Sequence, residues 1–113
     1  MSRAPNLSRA LVLETPVAAP DGAGGFTKSW QPLGTLWAEI RAGTGRARFA
    51  ALGPAGEVSL RILVRGAPEG SDQRPRPEQR FREGTRVFRI IAVAEADVQG
   101  RYLICTAQEE VPA

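Results

Sequence analysis

Between Glu57 and Arg65 this chain alternates: Val58, Leu60, Ile62 and Val64 fall on one side, Glu57, Ser59, Arg61 and Arg65 on the other, with Leu63 the one apolar residue on that outer side. A period of two puts one apolar face on an extended strand and would scatter the same residues around a helix. The pattern recurs in short runs, and glycine and proline close each one. Arg9 to Val17 reads as a strand ended by Pro16 and the turn cluster Pro20 to Gly25. Phe26 to Gln31 is a short strand or an extended entry to Leu33–Arg41, where Leu36, Ala38 and Ile40 oppose Trp37, Glu39 and Arg41. Arg86 to Ala96 is almost continuously apolar, so both its faces are expected to be covered. Arg101 to Glu109 returns with Leu103, Cys105 and Ala107 on one face.

Two stretches break the alternation. Arg46 to Leu52 suits about two helical turns, with Phe49 and Leu52 on one side. Gly66 to Gln79 is a loop by composition, and a loop that long in a small domain tends to be functional or mobile. Strands joined by turns, without crossover helices, do not make a parallel sheet. The expected fold is all-β: a small antiparallel barrel or sandwich of five to six strands, with one short helix and long Gly/Pro-rich loops. Its 113 residues suffice for one domain, 1–113, with 1–8 and 111–113 as flexible ends.

Missing residues narrow the chemistry. Without histidine there is no Ser–His or Cys–His pair, no imidazole acid–base group and no His-based metal site. The single cysteine, Cys105, excludes an internal disulfide and a CxxC knuckle, and reads as a small buried hydrophobe. No apolar run has signal-peptide or membrane-span length, so the expectation is a soluble protein of a reducing compartment, with no cofactor, no metal and no membrane partner. Glu39 beside Arg41, and Glu109 beside Glu110, read as solvated strand ends or ion pairs rather than catalytic carboxylates.

Charge is unevenly placed. From Arg74 to Arg89 six arginines face two glutamates, a local +4 in a chain whose total is +3. Arg41, Arg46 and Arg48 form a second cluster. Two readings stand: solvated arginines written by a GC-rich genome, or a basic face for phosphates or an acidic partner.

Taken in order, certain segments carry a family likeness. Gly24-Gly25-Phe26-Thr27-Lys28-Ser29-Trp30 is followed by Leu36-Trp37-Ala38-Glu39-Ile40, the Gly43–Ala51 segment, the Val58–Arg65 strand, Arg86-Val87-Phe88-Arg89-Ile90-Ile91-Ala92-Val93 and a closing Gln108-Glu109-Glu110-Val111. From about Leu11 to Val111 the chain resembles the head–tail joining (head-closure or stopper) proteins of tailed bacteriophages and phage-like gene transfer agents. It departs from them between Gly66 and Arg82, where its loop is longer and richer in Pro and Arg. The resemblance implies a β-barrel subunit without a catalytic site, assembled as a dodecameric ring at the head–tail junction. A portal and adaptor ring would lie above it, tail terminator or tail tube proteins below, and packaged double-stranded DNA in its channel. Another connector ring is an alternative, although an adaptor would be largely helical. A barrel that binds single-stranded nucleic acid is a weaker one, since no strand interleaves aromatics and arginines at the density that base stacking requires.

On that implication Arg41, Arg46, Arg48, Arg74, Arg76, Arg80 and Arg82 are the candidates for DNA, channel or partner contact, because a ring repeats each positive charge around the channel. Trp37, Glu39, Ile91 and Val93 are the candidates for the subunit interface. Trp30 suits either the core or an interface. With Ala67 and Phe81 as its only apolar side chains apart from proline, Gly66–Arg82 is expected to be mobile until a neighbour or DNA orders it. Its four arginines are then replaceable without loss of fold.

Overall fold

The structure, a computed structural model, describes residues 4–42 and 58–110. Six strands account for most of them: β1 (Arg9–Pro20), β2 (Phe26–Ala42), β3 (Val58–Arg65), β4 (Arg80–Glu83), β5 (Arg86–Glu95) and β6 (Tyr102–Glu109). All pairings are antiparallel, in the order β1-β2-β3-β6-β5-β4, and β4 pairs back onto β1 to close a barrel. The all-β expectation holds, and no helix occurs among the described residues. The expected helix over Arg46–Leu52, together with Arg46 and Arg48, lies outside them.

Alternation places the core where the sequence put it. Ile62 and Val64 of β3 and Leu103, Cys105 and Ala107 of β6 point inward and are buried. They meet Leu11 and Leu13 of β1, Ala38 of β2 and Phe88 and Ile90 of β5. Each buried Leu, Ile, Val or Phe among them contributes about 1.5–3 kcal/mol on leaving water, and the alanines less. Leu63 points outward yet is only 4% exposed. It lines the same depression as Ala4, Pro5, Tyr102 and Ile104. The segment before β1 is tied down there, with the Asn6 N–H donating to Glu39.

Three expectations need correction. Proline does not end β1, which runs on to Pro20; β2 is one 17-residue strand rather than two pieces. Proline is tolerated because β1 past Glu14 pairs with β2 alone, leaving an edge where no ladder N–H is needed. The result is a two-stranded arm beyond the barrel, closed by Asp21, whose carboxylate accepts from the N–H groups of Ala23 and Gly25. Gly22 and Gly24 take the positive φ values (81° and 86°) that this turn requires.

The second correction concerns Gly66–Arg82, which is not featureless. Arg80 and Arg82 belong to β4, and between them Phe81 is fully buried in the core. Successive turns (Ser71 N–H to Pro68, Arg74 N–H to Ser71, Gln79 N–H to Arg76) shape the rest, and Pro75 is fully buried. Counting apolar residues missed this because proline is itself an apolar anchor.

Third, β5 is not covered on both faces: Ile91 is 46% exposed, and Ala92 and Ala94 are exposed beside it. Ile91 and Val93, two of the interface candidates, lie on opposite faces. A bulge between Ile90 and Ala92 shifts the register, so Val93 packs against the core while Ile91 faces water.

Candidate functional site

The basic stretch 74–89 condenses into two ion-pair clusters on the barrel wall. Glu14 follows the inward Leu13, so ordinary alternation along β1 sets it on the outer face opposite Arg80, and the extra residue Leu33 on β2 brings Pro32 opposite it. Arg80 Nε donates to one Glu14 oxygen at 2.7 Å and Arg82 Nε to the other at 3.0 Å. Glu14 is only 5% exposed. Burial pushes its carboxyl up, but the two guanidinium hydrogen bonds outweigh that and hold it below the ordinary carboxylate value. Trp30 roofs the pair, with the Arg80 guanidinium 4.1 Å from its ring centre and Lys28 Nζ at 4.9 Å.

At the other end of β4, Arg9 bonds Glu83 through two nitrogens, at 2.8 and 2.5 Å. Arg86 holds Glu109 in the same forked way at 2.7 and 3.0 Å. The Arg9 hydrogen bond lowers the Glu83 carboxyl, and the Arg86 hydrogen bond lowers that of Glu109. Much of the arginine excess is thus neutralised within the subunit. Arg74 instead donates to the Ala67 carbonyl at 3.0 Å, and Arg76 is exposed. Among the described residues no carboxylate pairs with either.

The sequence candidates therefore separate. Arg80 and Arg82 are partners of a buried carboxylate, so their replacement by serine is now expected to destabilise the fold. Arg74, Arg76 and Arg41 remain as cations at the surface, and Arg41 bonds its neighbour Glu39. Glu39 also accepts from Asn6, which commits it within the chain. Trp37 stands 58% exposed on β2, in a shallow depression with Leu7, Leu36 and Ala67. Sequence reasoning missed Glu14 and the arm. The signal was there in Pro16, Pro20 and Pro32, whose even spacing fits outward positions on a paired edge.

A groove of about 660 Å³ runs between the arm and β4–β5. Phe26, Lys28 and Trp30 line one side, Glu78, Arg80 and Arg89 the other. Among the described residues no group of acidic, Cys or His side chains is arranged to hold a metal ion. No helix among them is long and apolar enough to cross a membrane. Cys105 is buried in the core, and burial pushes its thiol up to about 12. The surface offers cations, open strand edges and exposed aromatics, which suit contact with other macromolecules.

Two solved structures resemble the chain over nearly its whole length. One, from the virion of a native gene transfer agent particle, is 54% identical, with a TM-score of 0.77, covering 97% of this chain and 100% of that one. The other, protein SF1141 from Shigella flexneri 2a, is 20% identical with a TM-score of 0.70, covering 95% and 96%, and shares the fold. None of the curated proteins compared matches the chain. The family model for phage head completion proteins matches residues 2–110. That span takes in every described strand, and the chain belongs to the phage head completion protein family.

Proposed function

We infer that this chain is a structural subunit of the neck of a phage or gene transfer agent particle. There it forms a ring beneath the portal and adaptor, closes the DNA channel, retains the packaged double-stranded DNA and offers the surface on which the tail docks. The observation that carries this reading is the 54% identity, over 97% of this chain and 100% of the other, to a chain from a gene transfer agent virion. The surface is consistent with it: Arg74 and Arg76 have no carboxylate partner among the described residues, and the outer face of β5 is uncovered. A ring would repeat such cations around its circumference, where phosphates attract them without reading sequence. The role needs no catalytic group.

Deletion tests it. Particles made without this chain should package DNA and then lose it, or fail to join tails. Tailed, DNA-filled particles that transfer genes normally in its absence would end the reading.

A further inference from the structure

A closed barrel hides its strand edges only where every strand is covered along its whole length. Two stretches are not. β2 pairs with β3 only from Ala38 to Ala42, so Phe26 to Trp37 has β1 on one side and, among the described residues, no strand on the other. β5 pairs with β4 from Arg86 to Arg89, and hydrogen bonds to Glu78 and Gln79 extend that contact to Ile90. From Ile91 to Glu95, β5 pairs with β6 alone among the described residues.

Alternation in an antiparallel ladder decides which backbone groups these edges present. The Asp21 N–H donates to the Gly25 carbonyl at 3.1 Å. Ala19 with Thr27, and Val17 with Ser29, are then the bonded pairs, and Phe26, Lys28 and Trp30 turn their N–H and C=O groups outward. On β5 the Ala96 N–H donates to Tyr102 at 2.9 Å, so Ala94 bonds Ile104 while Val93 and Glu95 turn outward. The free edge of β1 differs. Its outward positions are Pro16, Ala18 and Pro20, and the two prolines have no N–H to offer. Neither Phe26–Trp30 nor Ile91–Glu95 contains proline, and both are rich in aromatic or β-branched residues.

We propose that these two edges pair with each other between copies of this chain, head to tail, the β2 edge of one copy receiving the β5 edge of the next. This rests on the ring inferred above and goes beyond it by naming the contact. β2 and β5 stand three strands apart in either direction round the barrel, so one copy can engage two neighbours at once. A heterologous contact of that kind makes a ring when its rotation closes. Charge favours the mixed pairing: Lys28 lies on one edge and Glu95 on the other. Joining two β2 edges would bring lysines together, and joining two β5 edges would bring glutamates together. The join also covers Phe26, 72% exposed, and Ile91.

Cross-linking in assembled particles tests the contact. The double variant Lys28→Cys with Glu95→Cys places one thiol on each edge, and Cys105 is buried and does not compete. Mild oxidation should give a ladder of covalent multimers rising to the complete ring. A series that stops at dimers means like edges meet and overturns the proposal. So does the absence of cross-links in particles that carry the protein, although the neck role would then stand. Absence of the parent chain from purified particles would instead overturn the ring reading itself.

A second variant does not depend on thiols. Lys28→Pro removes an outward N–H and leaves the β1–β2 ladder whole, so it should melt like the parent and fail to enter particles. Thr27→Pro breaks the ladder and serves as the unstable control. Incorporation of Lys28→Pro at the parent's level would refute the edge pairing.

Discussion

Replacing Arg80 and Arg82 together with serine leaves Glu14 with neither of its guanidinium partners, at 2.7 and 3.0 Å, in a site where it is 5% exposed. Breaking a buried ion pair by removing one side costs about 3–5 kcal/mol, because the remaining charge stays desolvated. The Arg82 side chain is itself 39% exposed, so water already screens its share and the lower end, about 3 kcal/mol, applies. Unfolding entropy near 2.1 cal/mol/K per residue gives about 0.24 kcal/mol/K for 113 residues, and hence a fall of about 12 °C in Tm. Thermal melts of the isolated protein, followed by circular dichroism, read this directly. Adding Glu14→Gln to the double variant removes the stranded charge and should recover more than half of the loss.

The pH dependence has a definite sign. In the parent, the Glu14 carboxyl lies below its ordinary value of 4.5 in the folded state. Its contribution is therefore present above that value and lost as pH falls through the folded one. In the double variant only burial remains, which favours the neutral acid, so the gap between the two proteins should narrow as the solution is acidified. A double variant melting within about 3 °C of the parent, or a triple variant no better than the double, would refute the assignment of Glu14 as a buried, charge-paired anchor.

Three further outcomes are expected. Arg76→Ser should leave Tm within about 2 °C, whereas Arg74→Ser also gives up the bond to the Ala67 carbonyl and should lower it more; the two together should weaken assembly or DNA retention across a salt series, and unchanged particles would show these cations to be merely solvated. Cys105, with its thiol pushed up to about 12 and its side chain buried, should resist a thiol reagent at neutral pH until the protein unfolds; stoichiometric labelling of the folded chain would contradict the core placement. Gly66→Ala would drive a methyl group into the Gly100 carbonyl oxygen, so it should lower Tm by more than about 5 °C, whereas a parent-like melt would mean that the close approach of Gly66 to the Gly100–Arg101 backbone is not tight.

Period-two patterning is a local property, and the features that depend on it were legible in the residues. The inward sets Leu36, Ala38 and Ile40 of β2, Leu60, Ile62 and Val64 of β3, and Leu103, Cys105 and Ala107 of β6 pack where alternation puts them. So was the excess of arginine in 74–89, though not its destination. Two bulges, at Leu13/Glu14 and at Ile90/Ala92, carry no comparable local mark. Each flips the parity of its own strand beyond it: the extra Leu33 of β2 sets Pro32 opposite Glu14, and the extra Ile91 of β5 leaves Ile91 and Val93 on opposite faces. Whether Arg80 is a free cation or the partner of a buried carboxylate depended on a residue 66 positions away, brought opposite it when β4 closed the barrel onto β1. The open edges arise in the same way. A strand's own residues set its extended shape, but how far a neighbour covers it depends on the lengths and register of strands distant in the chain, which only closure of the whole sheet determines.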